Sequence, residues 1–263
     1  MEFRTKVEIK SPKWTIEPQD KLLFVGSCFA DNIGQRFVDE SFCAMVNPQG
    51  VMYNPASIFN CVSTIEGLNA DIAVLTLGTN HVYRLKETGE IVANCQKRPQ
   101  SLFNEEELTI DECADYLQKT IDILRTTCAH IIITVSPIRY AKYGYHESQL
   151  SKAILLLAAD KAVKANECCE YFPAYEIIND ELRDYRFYNP DMLHPSKQAV
   201  DYIWEKLGET YFSKETQQFI EEWKPIKAAL NHKPFDADSE EYRKFYQQTL
   251  EKQRLFLAKY RKQ

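Results

Sequence analysis

Short apolar runs alternate with amphipathic segments along most of the chain. The first run, Leu22–Val25, predicts a buried strand, and Phe29, Ile33 and Phe37 then recur at the spacing of one helix face. Alternation of this kind favours an α/β fold with a mostly parallel sheet covered by helices on both faces. Further strands are predicted at 42–46, 71–77, 131–135 and 170–175, and further helices at 55–67, 110–127, 149–166 and 196–207, the last with Gly208 as its stop.

Two regions depart from this alternation. Residues 82–94 predict a β-hairpin, since two short runs of strand-forming residues flank a glycine-containing turn. Beyond residue 210 two charged helical segments flank a proline-containing break. We therefore divide the chain into an α/β domain at 1–210 and a C-terminal helical extension at 211–263, which we expect to pack on the core. A homodimer contact through the same helices is the alternative.

The composition excludes several classes of partner. A net charge of -6 gives no reason to expect a nucleic acid or an anionic membrane surface. No apolar run reaches the roughly 18 residues of a membrane-spanning helix. The sequence begins without the apolar core of a signal peptide, and its eight cysteines include no CxxC pair. We therefore expect a cytoplasmic protein with reduced thiols.

Residues with useful chemistry lie in four segments of the chain. Each segment falls where a strand would end. In an open α/β sheet, the carboxyl ends of the strands meet at one crevice, which is where ligands bind. Four segments are therefore predicted to lie together. They are Gly26-Ser27, the turn containing Gly50, Gly78-Thr79-Asn80-His81, and Asp191-Met192-Leu193-His194-Pro195.

These segments contain the groups that acyl transfer by serine requires. A base must take the proton of the hydroxyl, and a carboxylate must orient that base. Asp191 and His194 can meet within one short turn, and Pro195 biases His194 toward an extended conformation outside the following helix. Ser27 is the candidate nucleophile.

Donors for an oxyanion are also present. The backbone N–H groups of Ser27 and Gly50 and the side-chain amide of Asn80 could stabilise the charge that develops on a carbonyl oxygen.

Each piece has a simpler structural interpretation. A serine at a helix start often caps the helix, and Asp-x-x-His-Pro before a helix is a plausible turn. Gly78-Thr79-Asn80 alone is typical of a plain turn. The joint occurrence of the four segments in one order is the stronger signal.

These segments resemble the blocks of the SGNH (GDSL-like) hydrolase superfamily, and Gly26-Ser27-Cys28-Phe29-Ala30 is the namesake motif of its GSCFA family. The similarity runs from about residue 22 to residue 208 and includes 136–139 and 171–176.

The resemblance implies a flavodoxin-like three-layer α/β/α sandwich with a serine hydrolase site. Carried over by motif, Ser27 is the nucleophile and an oxyanion donor, and Gly50 and Asn80 are the other two donors. His194 is the base and Asp191 its orienting acid. Two departures stand out: the superfamily's first block usually reads Gly-Asp-Ser, but no Asp precedes Ser27, and His rather than Asp follows Asn80.

Three further residues have candidate roles. Cys28 could be a thiol nucleophile, with packing as the simpler interpretation. His81 could contact substrate, or be an exposed loop histidine. Arg139 could pair with a carboxylate or phosphate of the substrate, or form a structural ion pair. We expect no metal and no cofactor, because HExxH, CxxC pairs and glycine-rich nucleotide motifs are all missing.

The sequence thus predicts an esterase that removes a small acyl group, such as acetyl, from a small-molecule ester, with a carbohydrate-linked ester as one candidate. Two alternatives stay open. An O-acyltransferase would form the same acyl-enzyme but pass the acyl group to an alcohol. A non-catalytic binding module would keep only the shape of the site.

Overall fold

The structure, a computed structural model, describes residues 4–93, 95, 98–236 and 238–260. Among these residues no helix combines the length and apolarity needed to cross a membrane. The strands are β1 (Lys21–Gly26), β2 (Cys43–Val46), β3 (Ile72–Leu77), β4 (His81–Leu85), β5 (Phe103–Glu107), β6 (His130–Val135) and β7 (Cys169–Tyr171). The helices are α1 (Cys28–Asp39), α2 (Pro55–Ser63), α3 (Ile110–Leu124), α4 (Tyr145–Ala165), α5 (Ala174–Glu176), α6 (Lys197–Tyr211), α7 (Lys214–Leu230) and α8 (Glu240–Tyr260).

Five of the strands form one parallel sheet in the order β2-β1-β3-β6-β7. This is the flavodoxin-like order, in which the chain first adds a strand on one side of β1 and then builds on the other. The reversal leaves a crevice at the carboxyl ends of β1 and β3, where Gly26 pairs in register with Thr76. The predicted fold class is confirmed.

Helices cover both faces of the sheet because its strands alternate between two apolar cores. Leu22 and Phe24 of β1 pack in one core with residues of α1, α6, α7 and α8. Leu23 and Val25 point to the opposite face and pack with residues of α2, α3 and α4. A central strand that is buried on both faces reads as a continuous apolar run, which is why β1 was predictable.

The predicted hairpin at 82–94 is only half right. Strand β4 forms, but its antiparallel partner is β5, which pairs Leu85 with Phe103. Ile91 makes only an isolated bridge to Arg84. Asn94, the last residue of the predicted hairpin, lies outside the described residues.

Gly208 does not end α6, contrary to the prediction. The helix continues to Tyr211, and a Cβ atom at position 208 would lie 2.9 Å from the ring of Phe212. The glycine therefore makes room for an aromatic side chain instead of acting as a helix stop.

Helices α7 and α8 pack on the α/β core. The Trp223 indole donates to the carbonyl of Asp39 (2.9 Å), and Lys227 pairs with Glu40 (2.9 Å). Phe219 is fully buried, and α8 contributes further buried aromatic side chains to the same core. The division of the chain at residue 210 stays a prediction.

Candidate active site

The junction between β1 and α1 is fixed by a glycine against strand β3. Gly26 has a φ of +142°, and a Cβ atom there would lie 2.2 Å from the Thr76 carbonyl oxygen. No other residue fits both this conformation and this close approach. The next amide, Ser27 N–H, donates to the Thr76 carbonyl (3.1 Å) and faces its hydroxyl (2.9 Å). The junction is therefore held on the sheet by backbone contacts.

The Ser27 hydroxyl faces β3. It hydrogen bonds to the Thr76 hydroxyl (3.0 Å) and accepts from Phe29 N–H (3.2 Å) as the N-cap of α1. Only 1% of Ser27 is exposed. The capping interpretation of this serine is therefore confirmed by the geometry.

Asp191 and His194 form a close pair in the loop before α6. His194 Nδ1 lies 2.6 Å from Asp191 Oδ2, while the other oxygen accepts from the backbone amides of Leu193 (2.9 Å) and His194 (3.0 Å). These backbone hydrogen bonds, together with the ring contact, lower the pKa of Asp191 to about 2. Because Asp191 is then a carboxylate that can only accept, Nδ1 must carry the proton and Nε2 is left as the basic nitrogen.

Arg139, which lies just after β6, forms hydrogen bonds with the same loop. Its guanidinium donates to the carbonyl of Met192 (3.0 Å), and its backbone amide donates to the carbonyl of Leu193 (3.0 Å). The guanidinium also lies 4.3 Å from the centre of the Tyr145 ring. Arg139 thus contacts the loop that carries His194.

A cavity of about 260 Å³ lies at this carboxyl edge of the sheet. It brings Cys28, Gly78, Arg139 and His194 together, whereas Ser27 is not part of its lining. Cys28 is partly exposed there. Among the described residues, no cluster of His, Cys, Asp and Glu side chains could hold a metal ion. The described residues lining the cavity are Cys28, Tyr53, Gly78, Ile138, Arg139, Tyr140, Ala141, Lys142, Leu193 and His194.

Each of the three predicted oxyanion donors donates to another acceptor in this structure. The Ser27 amide is bonded to β3, and the amide of exposed Gly50 donates to a carbonyl of its own turn (2.8 Å). Asn80 is fully buried, and its side-chain amide donates to the carbonyl of Leu108 (2.8 Å). The amide of Cys28 is different, since the first N–H of a helix has no acceptor within the helix.

Lys152, which the sequence analysis does not single out, is a buried lysine next to this site. Its Nζ donates to the carbonyls of Gly78 (2.7 Å) and Ser136 (2.8 Å), the residues directly after β3 and β6. Burial lowers the pKa of Lys152 to about 7. A signal was available, because Lys152 falls on the same face of α4 as the buried Leu155 and Ala159.

His81 lies in a second cavity, also of about 260 Å³, and not on an exposed loop. It is 6% exposed, and its ring stacks on Tyr143 with centroids 3.9 Å apart. Burial lowers the pKa of His81, although nearby glutamates oppose this. Tyr53 and Tyr140 line both cavities, so the two spaces share a wall.

Together these features define a three-layer α/β protein in which a histidine that contacts an aspartate lines a cavity at the carboxyl edge of the sheet. The family model described as "GSCFA family" matches residues 21–69 and 63–207, and the model for the "GSCFA domain protein, C-terminal domain" matches residues 223–262. The chain belongs to the GSCFA family.

Solved structures with a similar fold include esterases and a lipase. A catalytic mutant of an acetylxylan esterase from Geobacillus stearothermophilus is 12% identical, with 76% of this chain and 98% of that chain covered and a TM-score of 0.49. A GDSL-like lipase from Bacteroides thetaiotaomicron is 14% identical, with 81% and 92% covered and a TM-score of 0.48. At these values the likeness carries no argument about activity. Comparison with curated proteins found no match.

Proposed function

We propose that this protein is an acyl-ester hydrolase of the SGNH (GDSL-like) type that removes a small acyl group, such as acetyl, from a small-molecule ester. A carbohydrate-linked ester fits the proposal. The observation that carries it is the 2.6 Å contact between His194 and Asp191, with the imidazole lining a cavity at the β1–α1 junction. The order of the four motif segments supports the same superfamily. No cofactor is needed for this chemistry.

The geometry suits His194 as general base and general acid. Its Nε2 takes the proton of the attacking nucleophile and then gives it to the departing alcohol. Water then attacks the acyl-enzyme, again losing its proton to His194. Asp191 keeps the ring in the required tautomer and stabilises the imidazolium as it forms.

The sequence assigns the attack to Ser27. In the structure its hydroxyl is bonded to Thr76 and is almost fully buried. To reach a substrate in the cavity, this side chain would have to leave both Thr76 and its capping position.

Acyl transfer to an alcohol is the second candidate function. The cavity at His81 adjoins the cavity at His194 through Tyr53 and Tyr140. An alcohol bound in this neighbouring space could intercept the acyl-enzyme before water does.

A reducing, cytoplasmic setting is part of the proposal. All eight cysteines are free, and the exposed Cys43 would be open to oxidation elsewhere.

The test is hydrolysis of p-nitrophenyl acetate by the purified full-length protein and by H194A. Loss of the general base should lower kcat/KM by roughly 10² to 10⁴-fold. H146A removes an exposed histidine of α4 and serves as the matched control, with unchanged activity expected. Equal rates for the wild type and H194A would refute the proposal. If an added alcohol accepts the acetyl group in place of water and forms a new ester, the protein is a transferase.

A further inference from the structure

The two adjacent side chains at the start of α1 point to different environments. Ser27 is the N-cap and turns its hydroxyl onto β3, where it meets Thr76. Cys28 is the first residue of the helix and lines the cavity that His194 also lines. Of these two neighbours, only Cys28 shares the cavity with the proposed base.

Burial disfavours a charged Cys28 sulfur, but two features of its surroundings act in the opposite direction. It lies at the N-terminus of a 12-residue helix, whose dipole stabilises an anion there. The charge of Lys152 acts on the thiol in the same direction, whereas the carboxylate of Asp31 opposes it. The backbone amide of Cys28, free of intrahelical bonding, could also donate to the oxyanion of a bound acyl group.

We propose that the Cys28 thiol, and not the Ser27 hydroxyl, is the nucleophile that carries the acyl group. This inference rests on the proposed function. The Cys28 sulfur bonds to the carbonyl carbon of the ester, and its proton passes to His194 Nε2. The C–O bond to the alcohol then breaks, and the alcohol leaves with that proton. Water next adds to the thioester carbon while His194 takes a proton from it. The C–S bond breaks and the proton returns to the sulfur, releasing the carboxylic acid.

The thiol depends on the histidine for this step. Burial raises the pKa of Cys28 to about 11, so the thiol is protonated at neutral pH despite the nearby helix dipole and lysine. Proton removal by His194 must therefore accompany the attack, as it does for a serine nucleophile.

Four single variants of the full-length protein test the inference with p-nitrophenyl acetate. C28A and H194A should each lower kcat/KM by roughly 10³-fold or more, as loss of a nucleophile or its base does. S27A removes a helix cap but no group in the cavity, so its kcat/KM should stay within about tenfold of the wild type. C43A removes an exposed thiol on β2 and should leave the rate unchanged, which controls for nonspecific acetylation.

The site of acylation provides a second measurement that needs no variant. Wild-type protein mixed with p-nitrophenyl acetate and quenched in acid should carry one acetyl group on Cys28, located by tandem mass spectrometry. Neutral hydroxylamine should remove it, because this reagent cleaves thioesters and leaves oxygen esters largely intact.

The outcomes separate the inference from the proposed function. Hydrolysis that needs His194 and Ser27 but survives in C28A would overturn the role of Cys28 and leave the hydrolase proposal standing. An acetyl group on Ser27 that resists hydroxylamine would do the same. A wild-type rate no higher than that of H194A would refute both.

Discussion

His194 Nδ1 lies 2.6 Å from Asp191 Oδ2 in a loop where three sequence positions separate the two residues. Both side chains are partly exposed, at 41% for His194 and 44% for Asp191. The carboxylate is also fixed by two backbone amides, which hold it in place for the contact with the ring. In the proposed mechanism this short-range contact orients the base, whereas the nucleophile is brought to it by contacts between residues far apart in the sequence.

Removing the negative charge of Asp191 should impair catalysis without unfolding the protein. In D191N the amide no longer fixes the tautomer with a basic Nε2, and we expect kcat to fall roughly 10² to 10⁴-fold. D184N is the matched control. Asp184 accepts a hydrogen bond from the Arg186 amide in the neighbouring turn but does not line the cavity. Ester hydrolysis by D191N at the wild-type rate would exclude Asp191 from the mechanism.

Arg139 should act by positioning the His194 loop. R139M removes the hydrogen bond to the Met192 carbonyl and the contact with Tyr145, so kcat for the uncharged p-nitrophenyl acetate should fall about tenfold. R139K should recover part of the activity, since lysine can still donate one hydrogen bond. R186M, which breaks an exposed pair with Asp184, is the control.

The alternative role of Arg139 gives a different result. If the guanidinium binds a carboxylate or phosphate of the substrate, R139M should raise KM for anionic esters only. The rate with p-nitrophenyl acetate would then be unchanged.

The sequence predicted those features that are determined by residues close together in the chain. β1, β3 and β6 are buried on both faces, so their apolar runs are continuous and easily identified. The contact of Asp191 with His194 was also predictable, because the two residues share one turn.

Features that the sequence did not predict depend on long-range contacts. β5 reads Phe-Asn-Glu-Glu-Glu with only Phe103 buried, and it is a strand because β4 pairs with it. The direction of Ser27 depends on Thr76 of a neighbouring strand, which no local pattern reveals. The predicted donors Gly50 and Asn80 have other acceptors for the same reason.

The Gly26-Ser27-Cys28 segment also aligns in a second way with the Gly-Asp-Ser block of the superfamily. When Gly-Asp-Ser is placed on the sequence from Gly26, Ser27 takes the position of the aspartate and Cys28 that of the serine. The apparent departure at the first block then becomes a replacement of one nucleophile by another.

Replacing Gly26 should destabilise the fold severely. G26A places a Cβ atom 2.2 Å from the Thr76 carbonyl oxygen at a φ of +142°, so β1 and β3 must separate. We expect a loss of about 3 kcal/mol or more in the free energy of unfolding, measured in urea. G67A is the control: its φ is +63° but nothing lies within 4 Å of the added carbon, so about 1 kcal/mol is expected. Similar losses for both variants would show that the contact with β3 can relax.

Lys152 should give the stability of the protein a specific dependence on pH. Its Nζ bonds to the carbonyls of Gly78 and Ser136, and it is 3% exposed. K152M removes the amine, and K161M removes an exposed lysine of the same helix that pairs with Asp111. Both variants should fold, but K152M also leaves two strand-end carbonyls without their donor.

The sign of the Lys152 effect follows from its pKa, which is about 7 in the folded protein and near 10.5 when unfolded. Between these values the unfolded chain binds a proton that the folded protein does not, so stability rises with pH. Below pH 7 both states are protonated and the contribution stays at its minimum. Relative to K152M, the wild type should therefore gain roughly 2 kcal/mol in unfolding free energy between pH 7 and pH 9. Cysteines that titrate in the unfolded chain affect the wild type and K152M equally, so their effect cancels in the difference between the two unfolding free energies. The difference between K161M and the wild type should not rise with pH in this way. A difference between wild type and K152M that does not vary with pH would mean that the buried amine keeps its ordinary pKa.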